Sequence, residues 1–399
     1  MSKHEKGLPV NDDIQRILVI KWSAMGDVVL ATPIFEDLRK AFPNSEMHLN
    51  TLPIWAPLFE QDSRFSRIIS IDVRKKGARW LNAWKWFKAV RSGHYDMVVD
   101  LQTTDRSAIM LGLIQLFAGG IRWRIGNIKR WPYNIAPHNM PAKTAHALTR
   151  HQAALEQAGI PAITPRPTLH VPQRNIDNAR ALQSQYNLKA GQYALFLPGC
   201  QAAGHLKRWG EDNYIGLAKR LHNTGLKHIV IIGAKDEVIE CETIASACAD
   251  YAVNLCGKTE ILDIIPLAQD ACLTVGNDTG TAHIAAASDR PMLVICGPTD
   301  PARVKPAGDN VISLQADLPC INCYCVRPCD HHSCMKLITP EMAHAALQEL
   351  FKKRGYNCAG GTDMLKAFGR QSSNESVNEN SIQTLTISSI DHSASRADL

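Results

Sequence analysis

The chain has 399 residues, 45% of them apolar, with 44 Lys and Arg against 38 Asp and Glu for a formal net charge of +6. That length and balance suit a globular protein of two domains and exclude a collagen-like or wholly disordered chain. No run of 18 apolar residues is present, and the polar first sixteen residues lack the apolar core of an export signal, so a cytoplasmic location is expected. The 12 cysteines are read as reduced. Cys256, Cys272 and Cys296 sit in strand-like apolar runs, where a thiol behaves as a small hydrophobe.

Residues 1–13 are read as an N-terminal extension. From 14 to 172, short β-branched runs alternate with helical stripes, the pattern of a parallel α/β sheet. Strands are predicted at 17–20, 47–50, 68–73, 97–101 and 122–125, with the clearest helices over 80–90 and 107–117. The first strand runs into Lys21-Trp22-Ser23-Ala24-Met25-Gly26-Asp27, a turn and helix start. Gly26 lets backbone approach a ligand closely, and a helix N-terminus favours anionic groups. The G-x-G-x-x-G spacing of dinucleotide loops is missing, which argues against a dehydrogenase. Asp27 has two readings: it complements the helix dipole, or it takes a proton from an attacking hydroxyl.

Charge is unevenly spread. Residues 73–95 hold Arg74, Lys75, Lys76, Arg79, Lys85, Lys88 and Arg91 with no acid, and no Asp or Glu occurs from 106 to 155. A basic N-terminal half points to an anionic partner. It carries no nucleic-acid-binding motif, so nucleic acid is not expected. Trp80, Trp84, Trp86 and Phe87 are interleaved with Arg79, Lys85 and Lys88. They are either a core-facing stripe or a belt at lipid headgroups.

Prolines and polar residues cluster over 161–185, and 173–190 is read as a linker. A second α/β series fills 191–340, with strands at 193–197, 228–232, 252–255, 273–275 and 292–296 and helices starting near 211, 236, 261 and 279. Two doubly wound domains in tandem are expected to face an interdomain cleft at the carboxyl ends of both sheets. The loop Pro198 to Trp209 carries Lys207 and Arg208, which suit a leaving diphosphate. Glu237, after the second strand, can take ribose hydroxyls. In Gly276-Asn277-Asp278-Thr279-Gly280-Thr281-Ala282-His283, Asp278 and Thr279 cap a helix and the N–H groups of Gly280 and Thr281 make a phosphate seat. The alternative is a plain capped helix with a buried His283. No Asp-x-Asp pair occurs, so helix dipoles and Lys207 take the place of a divalent ion. An amphipathic helix spans 341–357, and the tail 358–399 is expected to be disordered. Cys320, Cys323, Cys325, Cys329 and Cys334 crowd together near His331 and His332. They match no standard zinc or iron–sulfur spacing, and no metal is assigned.

Lys21 to Asp27, Lys207-Arg208-Trp209, Asn277 to His283 and Gly297-Pro298-Thr299-Asp300-Pro301 come in one order along the chain. Together they resemble the heptosyltransferases of lipopolysaccharide core assembly, glycosyltransferase family 9. The resemblance covers about 14–351. It implies the GT-B fold and transfer of heptose from ADP-heptose with inversion, without a cofactor. It implies Asp27 as general base and Lys207 on the donor phosphates. Met25, Gly26, Asp278, Thr279 and Gly280 would line the donor site, with His283 behind and Glu237 on the ribose. Gly210 stands where the family often has proline. The implied acceptor is a lipid-linked phosphorylated saccharide met at the inner face of the inner membrane, with Arg79, Lys85 and Arg106 as acceptor contacts.

Overall fold

The computed structural model describes residues 14–139, 141–200, 202–324, 329–356 and 384–387. The chain divides into two compact units, Met1–Pro172 and Gln173–Leu399. The extension 1–13 lies outside the described residues.

In the first unit the elements run β1 (Arg16–Ile20), α1 (Met25–Val29), α2 (Thr32–Ala41), β2 (Glu46–Thr51), β3 (Arg67–Ser70), α3 (Arg79–Arg91), β4 (Met97–Asp100), α4 (Asp105–Phe117), β5 (Trp123–Gly126) and α5 (Ala147–Gln157). The sheet order is β3-β2-β1-β4-β5, and every pair is parallel. A parallel sheet is covered on both faces, which is why Ile17, Leu18, Val19 and Ile20 are all apolar and fully buried. Strand order reverses between β1 and β4. In open α/β sheets the crevice at the carboxyl ends of those two strands is the ligand site.

The second unit contains α6 (Gln173–Gln185), β6 (Tyr193–Leu197), α7 (Glu211–Asn223), β7 (His228–Ile231), α8 (Val238–Ala247), β8 (Ala252–Asn254), α9 (Ile264–Asp270), β9 (Leu273–Asn277), α10 (Gly280–Ala285), β10 (Met292–Cys296), α11 (Pro301–Val304), β11 (Val311–Ala316), α12 (Ser333–Lys336), α13 (Pro340–Arg354) and β12 (Thr384–Ile387). Its order is β12-β11-β10-β9-β6-β7-β8, again all parallel. From β8 to β11 this is the six-strand dinucleotide-fold order, with its switch point between β6 and β9. Phe196, Trp209, Tyr214, Leu347 and Phe351 belong to one buried cluster around the sheet. Helix α13 closes it, started by Thr339, whose hydroxyl accepts from Met342 N at 3.3 Å, and ended by Gly355 at φ 64°.

Two expectations need correction here. The stretch 173–190 is largely helix, not linker: α6 packs on α9, and Asn175 Nδ2 donates to Asp263 Oδ1 at 2.6 Å and Glu260 Oε2 at 3.0 Å. Its few apolar residues mask the helix, because polar side chains do the docking. Within the tail expected to be disordered, Thr384–Ile387 forms β12 and pairs with β11. Alternating Thr, Leu, Thr and Ile carry strand propensity that bulk composition hides; the rest of 358–399 is outside the described residues. Strand β11 and helix α5 were not predicted.

Candidate active site

At the first switch point, Lys21 to Asp27 follows β1. Four hydrogen bonds fix this loop from β4 and its neighbours. Trp22 N and Ser23 N both donate to Gln102 Oε1, at 2.9 and 3.2 Å. Lys21 Nζ donates to Leu101 O at 3.2 Å, and Arg74 donates to Ser23 Oγ at 2.8 Å. Asn50 Oδ1 accepts the indole N–H of Trp22 and of Trp86 at 2.7 Å each. Trp86 is therefore a buried anchor, the core-facing of its two readings. Trp80 and Trp84, on the same helix, are exposed.

Asp27 is the third residue of α1. One of its oxygens accepts from Ala24 N at 3.0 Å, so the carboxylate caps its own helix. The other oxygen carries no hydrogen bond among the described residues. A carboxylate anchored on one side and open on the other is shaped to take a proton. Met25 and Gly26 precede it in the same turn, half-buried. Below the loop, the Lys21 ammonium is buried, which pushes its pKa down against the pull of Asp27 and Asp100. Burial raises the pKa of Asp100, partly offset by bonds from Tyr133 Oη, Gln102 N and Thr103 N. Arg79 and Lys85 are exposed on α3, and Arg106 is half-buried in the first turn of α4.

At the second switch point the ends of β6 and β9 are tied by a charged network. Lys207 Nζ donates to Asp278 Oδ2 at 2.9 Å and to Asp278 O at 3.2 Å. Thr299 Oγ1 donates to the same carboxylate oxygen at 2.7 Å. His283 Nε2 lies 4.0 Å from the other oxygen, and both residues are buried. Asp278 thus holds Lys207 in place rather than offering a donor to phosphate. An ammonium has three protons, and these bonds use two, leaving one for an anion. Asn277 holds the strand ends together, accepting from Trp209 N at 3.3 Å and Tyr214 Oη at 3.2 Å and donating to Pro198 O. Thr279 is the N-cap of α10, with Gly280 and Thr281 as its first residues. Their N–H groups have no intrahelical partner.

Arg208 does something other than its neighbour. It donates to Cys200 O at 3.0 Å and pairs with Glu240 Oε2 at 3.3 Å, so it ties the β6 loop to α8. Glu240 is buried, and that burial pushes its pKa up to about 7 despite Arg208. Of the two cations expected to meet a diphosphate, Arg208 is thus engaged by Cys200 and Glu240, and Lys207 by Asp278. Glu237 Oε2 accepts from Ala234 N at 2.7 Å, and burial raises its pKa. Its carboxylate lies against Gly199, where a Cβ would fall 1.9 Å from the carboxyl carbon. A side chain at 199 would therefore push the Glu237 carboxylate out of this position.

Gln315 on β11, missed with its strand, binds Gly297 O, Thr299 O and Asn322 Oδ1 at 3.0, 2.8 and 3.0 Å. It holds the loop that supplies Thr299. The sequence signal for Asn50, Asp100, Asn277 and Gln315 is one they share: a polar residue in or ending an apolar parallel strand has to find partners. In the cysteine-rich segment, Cys320 and Cys323 are exposed and Cys334 is buried, with its sulfur close to Gly297. Cys325 is outside the described residues. His332 Nε2 bonds Leu206 O, linking this segment to the Lys207 loop. Cys272 is disulfide-bonded, which corrects its reading as a reduced thiol.

A family model described as glycosyltransferase family 9 (heptosyltransferase) matches residues 83–331, more than half of the chain. The lipooligosaccharide heptosyltransferase 2 of Haemophilus influenzae is 27% identical over 355 residues, covering 84% of this chain and 99% of that protein. Among solved structures, a family 9 glycosyl transferase from Veillonella parvula superposes with a TM-score of 0.71 at 18% identity, covering 86% of this chain and 99% of the other. The Escherichia coli ADP-heptose LPS heptosyltransferase II gives a TM-score of 0.64 at 21% identity, covering 86% and 100%. Two Rossmann-like parallel sheets and these neighbours identify the fold as GT-B. The chain belongs to glycosyltransferase family 9, the heptosyltransferases, and is a glycosyltransferase.

Proposed function

We propose that the enzyme transfers heptose from ADP-heptose to the inner core of lipopolysaccharide, inverting the anomeric carbon. The observation that carries this is the second switch point. There Asp278, itself held by the Thr299 hydroxyl, fixes Lys207, and the α10 N-terminus that follows offers the N–H groups of Gly280 and Thr281. That combination of one spare ammonium proton and unpaired amides is a seat for the donor diphosphate. As the glycosidic bond breaks, negative charge grows on the diphosphate, and donors fixed in advance stabilise it without reorganising. Glu237 takes the ribose hydroxyls, and Asp278 and His283 support the loop from behind. No cofactor is called for, because Lys207 and the amides supply the positive potential.

Asp27 is the general base. Its open oxygen removes the proton from the acceptor hydroxyl as that oxygen bonds to the anomeric carbon, and the ADP oxygen leaves with the bonding pair. Arg79, Lys85 and Arg106 meet the phosphates of the lipid-linked acceptor. That acceptor brings the protein to the inner face of the inner membrane as a peripheral partner, with the exposed Trp80 and Trp84 at headgroup level. Incubating the full chain with heptose-free core acceptor and a panel of ADP- and UDP-sugars tests the reading. Mass spectrometry is expected to show one heptosyl residue added from ADP-heptose only. Transfer from a UDP-sugar, or turnover of the donor without acceptor, contradicts it.

A further inference from the structure

Helix α4 is apolar on two sides. Ala108, Met110, Leu111 and Ile114 turn to the core. Ile109, Leu113, Leu116 and Phe117 turn outward, the last two 66% and 68% exposed. Spacings of four, seven and eight residues from Ile109 put them on one stripe, a ridge of large side chains along the surface. Trp131 lies beside this helix: its ring covers Gly112, where a Cβ would sit 2.4 Å from the indole, yet it stays 60% exposed. Helix α3 packs beside α4 and adds the exposed Trp80, Leu81 and Trp84. An apolar surface of this extent marks an interaction site.

Charge identifies the partner. Next to Trp131 opens a cavity of about 390 Å³ whose walls include Arg124, Lys129, Arg130, Tyr133 and His138. Asp105, paired with Arg130 at 2.6 Å, is the acid beside it, and the chain has no other from 106 to 155. On α3, Lys88 Nζ sits 5.2 Å over the Trp84 ring, presenting a cation and an aromatic together. An apolar ridge rimmed by cations and tryptophans matches the boundary between acyl chains and anionic headgroups. A second copy of the chain would bring the same cations to the contact and be repelled.

We propose that the α4 ridge with Trp131 enters an anionic phospholipid bilayer at headgroup depth, and that the basic cavity beside it receives a lipid phosphate. This rests on the peripheral seating given above and places the main anchor on α4 rather than on α3 alone. The test is flotation of the full chain with vesicles of phosphatidylcholine, with and without phosphatidylglycerol. The wild type is expected to float with the anionic vesicles only. Leu116→Asp with Phe117→Asp should lower the partition coefficient at least about tenfold, and Lys129→Glu with Arg130→Glu by about tenfold. Ile239→Asp, at a residue 84% exposed on α8, should leave it unchanged. The unfolding temperature and the stabilisation by ADP report whether each variant is folded.

If the ridge variant floats like wild type while Trp80→Asp with Trp84→Asp does not, the α4 assignment is overturned and peripheral seating on α3 survives. No flotation of the wild type overturns both, leaving the transferase reading to its own assay with solubilised acceptor. Loss of self-association in the ridge variant, with flotation intact, assigns the ridge to a second copy and also overturns the proposal.

Discussion

The loops after β1 and β6 stand at the same station in two sheets of the same order, and they are held in place differently. The β1 loop is fastened mainly by neutral partners, Gln102, Asn50 and backbone carbonyls, with Arg74 on the Ser23 hydroxyl, and its own cation, Lys21, is buried beneath it. The β6 loop is fastened by charge: Lys207 to Asp278, and Arg208 to Glu240. A base needs an open carboxylate oxygen and little competing charge at its surface. A seat for a diphosphate needs a cation whose position is already fixed. On the proposed reading, the same topology serves a proton on one sheet and an anion on the other.

If that division holds, substitutions in the two loops should fail in different ways. Asp27→Asn is expected to give the largest effect, a loss of about 10²–10⁴-fold in kcat, since that is the span of one general base. A variant turning over normally would remove Asp27 from the mechanism. Lys207→Met comes next, with kcat/KM down about 10²–10³-fold, the range for losing one donor to developing negative charge. An unchanged KM for ADP-heptose together with unchanged kcat would break the contrast. Gly199→Ala should cost about tenfold in donor KM, because its Cβ displaces the Glu237 carboxylate. Equal KM would show that Glu237 does not bind donor.

Smaller still is a pH effect confined to the second loop. The folded pKa of Glu240, about 7, lies above its ordinary value of 4.5, so the native state holds its proton longer than the unfolded chain. Stability from this group is present below pH 4.5 and lost as pH rises toward 7. Glu240→Gln should flatten that part of the unfolding-temperature profile. A profile identical to wild type would mean the Arg208–Glu240 pair does not titrate there.

Much of this was legible in the chain before any coordinates. Parallel strands buried on both faces read as unbroken apolar runs, so ten of the strands and both switch-point loops stood out, from 17–20 to 292–296. Asp27 and Thr279 were visible because each follows such a run at a helix start, and Lys207 because it stands in the loop that follows one. What escaped was wiring across long sequence separations. Nothing local to Gln315 says that it holds Thr299, and nothing in Arg208 says that it turns to Glu240 instead of a phosphate. Helix α6 escaped because it docks through Asn175 and Gln183 rather than an apolar stripe. The face of Trp86 stayed open because helical spacing shows that aromatics recur but not which of them faces inward.

Calorimetric titration of ADP-heptose into the wild type, Asp27→Asn and Lys207→Met tests the division most directly. The expected result is a Kd for Asp27→Asn equal to wild type and one for Lys207→Met weaker by about tenfold or more, as for loss of a charge-assisted hydrogen bond. Equal weakening in both variants, or none in Lys207→Met, would contradict it.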